Sequence, residues 1–113
     1  MSVRAYIKEE QSIEYKDGYK EVTYKENLIE LFNIWHNPEI FEVLCEYGFD
    51  GTNQDSVGEI EIDDEQWEEL KETEEIFISP KFTEKKYGKE SIEVFKKIDS
   101  YLKENEYLLL NCY

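Results

Sequence analysis

The feature that most constrains the fold is a helical stripe that is followed, after a short break, by an apolar strand. The stripe has the three- and four-residue spacing of one helix face and consists of Ser91, Val94, Phe95, Ile98, Tyr101 and Leu102. Asn105 can end this helix, and residues 107–113 are apolar enough for a central strand buried on both faces. We therefore expect a helix layer that packs against a sheet.

Alternating patterns predict further strands along the chain. Apolar and polar residues alternate over residues 2–8, as in a strand with one buried face. Residues 12–22 predict a hairpin, because the Asp-Gly pair at the centre is favoured in a two-residue type I′ turn, which needs positive φ at both positions. Residues 59–62 also alternate, and residues 75–79 predict a strand that ends before a proline.

Apolar spacing and residues typical of helix ends predict further helices. Residues 24–48 predict two helices that meet at a tight corner at Asn37 and Pro38, because the residue before a proline avoids the helical region. The apolar face of the first of these helices consists of Leu28, Leu31, Phe32 and Trp35. Asp63 and Gln66 are spaced as the two members of a capping box, which predicts another helix after Asp63.

The pattern as a whole predicts an α+β fold in a single acidic domain over residues 1–113. Residues 49–58 are predicted to be a surface loop, because Gly, Asp, Asn and Ser are concentrated there. Residues 81–89 are predicted to be irregular. The order of the elements predicts a mixed, largely antiparallel sheet of about four to six strands, with about four helices mainly on one face.

The net charge of −15 limits the classes of partner. A surplus of carboxylates repels nucleic acid and anionic membranes, and it attracts basic protein surfaces. Arg4 is the single arginine of the sequence, whereas proteins that read nucleic acid use several arginines to contact phosphates and guanines. We therefore expect a basic protein surface as the partner and no direct binding to nucleic acid or membrane.

The cysteines and the hydropathy of the chain indicate its compartment. The N-terminal residues contain no apolar run of the kind found in signal peptides. No stretch approaches the roughly 18 apolar residues of a membrane-spanning helix. Two cysteines without a paired motif are typical of a reducing environment, so we expect a cytoplasmic protein whose thiols stay unlinked.

Acidic residues are concentrated in residues 59–75, where ten Asp or Glu accompany one basic residue, Lys71. Helix residues four apart lie about 6 Å apart along the axis, and like charges at this spacing destabilise the helix slightly. Most charge runs are solvated surfaces, but this run would also fit a basic groove of a partner. The predicted partner-binding residues are Glu59, Glu61, Asp63, Asp64, Glu65, Glu68, Glu69 and Glu72.

The sequence offers few residues for catalysis or metal binding. His36 is the single histidine, and a thiol nucleophile would need Cys45 or Cys112 beside it. Residues 50–59 contain Asp, Asn and Glu, but the sixth position lacks the glycine of an EF-hand calcium loop. A Gly-rich phosphate loop is absent from the sequence. We therefore expect no catalytic site, no metal and no cofactor.

These expectations favour a small acidic binding or inhibitor protein whose carboxylate-rich surface engages a basic groove of a partner. The sharpest form of this hypothesis is a nucleic-acid mimic that blocks a nuclease or another DNA-binding protein of the phage-defence type. A second hypothesis is an immunity protein or antitoxin that neutralises a basic toxin. A third is an enzyme whose active site is built from residues that are distant in the sequence.

Overall fold

The computed structural model describes residues 3–26 and 28–113, and within them it contains seven strands and four helices. The strands are β1 (Arg4–Ile7), β2 (Glu10–Lys16), β3 (Tyr19–Tyr24), β4 (Ile29–Asn33), β5 (Phe49–Thr52), β6 (Gly58–Asp63) and β7 (Tyr107–Cys112). The helices are α1 (Pro38–Tyr47), α2 (Asp64–Thr73), α3 (Pro80–Tyr87) and α4 (Ser91–Glu104). The predicted α+β class is confirmed.

Five strands form one antiparallel sheet in the order β4-β1-β7-β6-β5, and β2 and β3 form a separate hairpin. β7 is therefore the central strand, as its apolar sequence predicts. Its residues Leu108, Leu110 and Cys112 are fully buried, whereas Leu109 and Asn111 between them are only partly buried. The predicted burial of this strand on both faces is thus correct for one face only.

The helices lie on the face where β7 is fully buried. α1, α2 and α4 contact the sheet, and α3 packs against α1 and α4. Phe95 of α4 joins three helices, because its ring centroid lies 5.9 Å from that of Trp67 in α2 and 5.4 Å from that of Tyr87 in α3. None of the described helices is long and apolar enough to span a membrane.

The opposite face of the sheet is hereafter the open face. Strand residues alternate between the two faces of a sheet, and the residues of the open face are half-buried or exposed. In the three strands at the centre of the sheet, it carries Tyr6, Glu59, Glu61, Leu109 and Asn111, and Lys8 follows directly after β1. Polar and charged side chains therefore cover much of this face.

Several elements follow the sequence patterns closely. β1 has its apolar residues on the buried face, as predicted, although Ser2 lies outside the described residues. The turn between β2 and β3 has positive φ at both Asp17 (44°) and Gly18 (84°). α1 occupies the second helix predicted within residues 24–48. The capping box predicted for Asp63 and Gln66 is present at the start of α2.

The prediction of a first helix within residues 24–48 is wrong, because β4 forms there and pairs with β1 at the edge of the sheet. The pairing contains a β-bulge, in which Leu31 is the extra residue. The bulge allows the consecutive residues Leu31 and Phe32 to be buried together, and this spacing imitates a helical stripe. Trp35, which was expected on the same stripe, is 55% exposed. The predicted corner is therefore a strand-to-helix turn, and Asn27 lies outside the described residues.

Three shorter predictions are also wrong. The predicted loop 49–58 begins with β5, an exposed edge strand whose backbone pairs with β6. The strand predicted over residues 75–79 is a series of turns, in which Glu75 has a positive φ of 52°. The segment predicted to be irregular lies mostly in α3, where the hydroxyl of Ser79 accepts a hydrogen bond from a backbone N–H of the first turn.

Candidate partner-binding surfaces

α2 is fixed at its start by the capping box. The Asp63 carboxylate accepts a hydrogen bond from the backbone N–H of Gln66 (2.7 Å), and the Gln66 side chain accepts one from the N–H of Asp63 (2.9 Å). Trp67 and Leu70 are buried on the inner side of the helix. The outer side carries five exposed carboxylates, hereafter the α2 acidic surface, which are Asp64, Glu65, Glu68, Glu69 and Glu72.

Lys71 is the single basic residue of α2, and it links this helix to α4. Its Nζ lies 2.7 Å from Glu68 and 2.7 Å from Asp99 of α4. Burial alone would lower the pKa of Lys71, but its hydrogen bonds to Asp99 and Glu68 outweigh burial and raise the pKa. Lys71 therefore stays charged. Within the described chain, the ion pairs include none of the other four residues of the α2 acidic surface.

The eight predicted partner-binding residues do not lie on one surface. Glu59 and Glu61 alternate with the buried residues Ile60 and Ile62 of β6, so their side chains point to the open face, away from the helices. Asp63 lies between β6 and α2, where its carboxylate caps the helix. The other five form the α2 acidic surface. The alternation within residues 59–62 is the sequence signal that distinguishes the two groups.

Glu74, at the end of the acidic segment, is used inside the fold. Its carboxylate accepts hydrogen bonds from the hydroxyls of Tyr47 and Tyr87 (3.1 Å each) and from Lys86 Nζ (2.9 Å). The bond from Lys86 is the main cause that lowers the pKa of Glu74, and the two hydroxyls add to it against the opposing effect of burial. Glu74 therefore stays ionised and joins the end of α2 to α1 and α3.

A second acidic region, with different chemistry, lies on the open face. Phe49 of β5 lies directly opposite Glu61 of β6, which in turn lies opposite Leu109 of β7. Phe49 is 72% exposed. A cavity of about 410 Å³, hereafter the β5–β6 pocket, is lined by Phe49, Gly51, Gly58, Glu59, Glu61 and Leu109. Sequence patterns do not reveal this pocket, because β5 lacks the apolar alternation that would identify it as a strand.

Lys8 contacts the same acidic region from the side of β1. Its Nζ lies 3.1 Å from Glu59 Oε1 and 4.4 Å from the centroid of the Tyr24 ring. The open face therefore already holds one ammonium group between a carboxylate and an aromatic ring. Glu61 is exposed, and no ion pair within the described residues includes it.

The histidine and the two thiols lie in different environments. His36 is exposed before α1, and its backbone N–H donates to Asn33 Oδ1 (3.1 Å). Cys45 and Cys112 are unlinked, as predicted, and burial is the main cause that raises the pKa of each thiol to about 12. Both thiols are therefore protonated at neutral pH, whereas a nucleophilic cysteine needs the thiolate. In the part of the chain that the structure describes, no three His, Cys, Asp or Glu are arranged to hold a metal ion.

Comparison of the sequence with protein-family models gives no match. Neither a curated protein nor a solved structure matches the chain. The fold and its surfaces define a small α+β protein in which two acidic regions lie on opposite sides of the sheet. One is the α2 acidic surface on the helix side, and the other is the β5–β6 pocket on the open face.

Proposed function

We propose that this protein is a small acidic binding or inhibitor protein whose α2 acidic surface engages a basic groove of a partner. The observation that carries this proposal is the contrast between carboxylates that are bonded within the fold and those of the α2 acidic surface, where Glu68 alone takes part in an ion pair within the described chain. Asp63, Glu74 and Asp99 are held by hydrogen bonds within the protein. The α2 acidic surface places like charges four residues apart, which costs some helix stability. A basic partner would remove that cost.

The contacts that fix α2 to the rest of the fold support the same proposal. The capping box fixes the first turn, and the buried Trp67 donates a hydrogen bond from Nε1 to Asp99 (3.0 Å). Lys71 joins the same carboxylate from the next turn. A surface that is already ordered loses less conformational entropy when it binds. Complementary charge in addition accelerates the encounter with the correct partner.

The finer form of the proposal is a nucleic-acid mimic. The α2 acidic surface has one row of carboxylates from Asp64, Glu68 and Glu72, and a second row from Glu65 and Glu69. Successive members of a row lie about 6 Å apart along the helix axis. Phosphates of one DNA strand follow one another every 3.4 Å or so, so that a row corresponds to about every second phosphate. A nuclease that held this surface in its basic groove would be blocked from binding DNA.

An immunity protein or antitoxin that neutralises a basic toxin is the second candidate. The exposed ring of Phe49 favours it, because protein interfaces often concentrate their binding energy in aromatic residues surrounded by polar ones. The two candidates differ in one measurable property. A mimic competes with DNA for its partner, whereas an immunity protein can bind a toxin that has no affinity for DNA.

The proposal is tested by capture from a lysate of the source organism with three immobilised forms of the protein. The first form is the wild type, and the second is an α2 variant in which four residues are reversed to lysine. The third form is a control variant with four reversals at exposed glutamates elsewhere. Both variants change the formal charge from −15 to −7, since each reversal adds two charges. The reversed residues are Glu65, Glu68, Glu69 and Glu72 in the α2 variant, and Glu84, Glu93, Glu104 and Glu106 in the control variant.

We expect the wild type and the control variant to retain a basic protein at low salt that the α2 variant does not retain. Unfolding in urea verifies that both variants are folded, and competition with DNA for the retained protein distinguishes the mimic from the immunity protein. If a folded α2 variant retains the same proteins as the wild type, the proposal is wrong. If retention depended only on net charge, both variants would lose the basic protein equally, and this result would also contradict the proposal.

A further inference from the structure

We infer that the β5–β6 pocket binds an arginine side chain of a basic protein partner, an inference that rests on the proposed function for the existence of such a partner. The pocket combines an exposed aromatic ring, two carboxylates and two glycines in its lining. Its volume of about 410 Å³ lies within the range of sites that bind small molecules. None of these features belongs to the α2 acidic surface, which lies on the other side of the sheet.

The wall of the pocket is the ring of Phe49. This ring stands opposite Glu61 in the antiparallel pairing of β5 with β6, and directly opposed residues have Cβ atoms about 5 Å apart. A cation on the ring of Phe49 would therefore also be within reach of the Glu61 carboxylate. The ring is 72% exposed, so that most of its surface is available to a ligand.

Two glycines are among the residues that line the pocket. A Cβ at Gly51 would lie 2.9 Å from the backbone oxygen of Glu59, and a Cβ at Gly58 would lie 2.5 Å from that of Gly51. Gly58 also has φ of 142°, which side chains other than that of glycine rarely adopt. The close approach of β5 to β6 thus excludes side chains at both positions. Gly51, which lies opposite Glu59 on the open face, therefore adds no side chain to the space beside Phe49.

The charge of the pocket selects a cation. Glu59 and Glu61 are alternate residues on one strand face, about 7 Å apart along the strand. The lining of the pocket contains no basic residue, and Lys8 beside it is paired with Glu59, so that Glu61 supplies the carboxylate for a further cation. Phosphates and other anions would be repelled. A guanidinium fits better than an ammonium, because it is planar, stacks on aromatic rings and donates two parallel hydrogen bonds to a carboxylate.

Lys8 provides a precedent within the same face. Its ammonium group lies between the Glu59 carboxylate and the Tyr24 ring, at 3.1 Å and 4.4 Å. Glu61 and Phe49 offer the same combination of a carboxylate and a ring, but no basic side chain of the described chain is paired with Glu61. The pocket therefore combines the same chemical groups as the site that holds the Lys8 ammonium group, and it has room for a cation from a partner.

The inference is tested by titrating ¹⁵N-labelled protein with capped arginine, N-acetyl-arginine-N-methylamide, and separately with the equivalent capped citrulline. Citrulline has a similar shape without the charge. We expect arginine, and not citrulline, to shift the amide resonances of Gly51, Gly58, Glu61 and Leu109. Phe49→Leu, which keeps an apolar side chain but removes the ring, should weaken arginine binding by about two- to fivefold, the range for an exposed cation–π contact.

Two substitutions that each remove one negative charge provide a matched comparison of arginine binding. Glu61→Gln removes a carboxylate from the pocket and should weaken arginine binding at least as much as the loss of the ring. Glu72→Gln removes a carboxylate from the α2 acidic surface and should leave arginine binding unchanged. Equal losses for these two variants, or equal shifts with citrulline, would overturn the inference.

The two proposals fail in different experiments. If the α2 variant loses the partner and arginine does not bind in the pocket, the inference about the pocket is overturned and the proposed function stands. Arginine binding in the pocket, together with retention of the partner by the α2 variant, would overturn the proposed role of the α2 acidic surface alone.

Discussion

Asp63 and Asp64 are adjacent residues of the same type in different environments. The carboxylate of Asp63 accepts a hydrogen bond from the backbone N–H of Gln66, an amide that has no partner within the helix itself. Asp64 is exposed, and its carboxylate accepts a hydrogen bond from the adjacent N–H of Glu65 (2.9 Å). Both charges suit the positive end of the helix dipole. At the scale of single residues, this pair separates a carboxylate that caps α2 from one that stays exposed on the α2 acidic surface.

We expect Asp63→Ala to lower the free energy of unfolding by about 1 kcal/mol, as is usual for loss of an N-cap. Asp64→Ala removes the same charge without removing the cap, so its effect should stay within about 0.5 kcal/mol. Urea unfolding of the two variants and the wild type measures the difference. Equal destabilisation by both substitutions would indicate that charge, and not the cap, fixes the start of α2.

The carboxylate of Asp99 should make the stability of the protein depend on pH. Burial alone would raise its pKa, but hydrogen bonds from Lys71, Trp67 and Lys103 outweigh burial and lower the pKa from 3.8 to about 2. A carboxylate whose pKa is lowered by folding stabilises the protein where it is ionised. This contribution is therefore complete above pH 3.8, and it is lost as the pH falls through about 2.

We expect Asp99→Asn to lower the free energy of unfolding at neutral pH by about 2 kcal/mol, the equivalent of the pKa shift. The difference from the wild type should shrink as the pH falls from 3.8 to about 2, because the wild-type carboxyl is then protonated. Glu93→Gln on the exposed side of the same helix is the control and should show neither effect. Denaturant unfolding over this pH range makes the measurement, and a difference independent of pH would contradict the prediction.

At the scale of secondary-structure elements, a sequence pattern predicts the element correctly where the residues that it marks as apolar are also the buried ones. α4 has a continuous apolar stripe, and α2 has both a stripe and a capping box, so each is defined by its own residues. β4 is different, because its bulge spaces the buried residues Leu31 and Phe32 as a helix would. β5 is held by backbone pairing at an exposed edge and has no apolar alternation. β5 is a strand because it pairs with β6, and this pairing cannot be identified from the four residues of β5 alone.

The β2–β3 hairpin should be the least stable part of the described fold. Its strands pair with each other and with no other strand of the described chain, and residues 11–20 are all exposed. An isolated two-stranded hairpin is at best marginally stable in water. We expect its amides to exchange with solvent at a much lower opening free energy than the amides of β7, as measured by native-state hydrogen exchange. Equal protection of β2 and β7 would contradict this expectation.

At the scale of the whole molecule, the acidic segment is divided between two faces. β6 sends Glu59 and Glu61 to the open face, and the turn at Asp63 then directs the remaining carboxylates of α2 to the helix side. The concentration of charge is visible in the sequence. The β5–β6 pocket is not, because Phe49 and Glu61 meet only through strand pairing. The net charge of −15 acts over both faces, and a charge of this sign and size attracts basic surfaces in general.

The most direct test of the central claim is the binding kinetics of the captured partner with the wild type, the α2 variant and the control variant over a range of salt concentrations. We expect the α2 variant to bind at least about tenfold more weakly at low salt, chiefly because association is slower, and added salt to weaken wild-type binding. The control variant should bind like the wild type. A folded α2 variant that binds with wild-type affinity at low salt would contradict the claim that the α2 acidic surface is the partner contact.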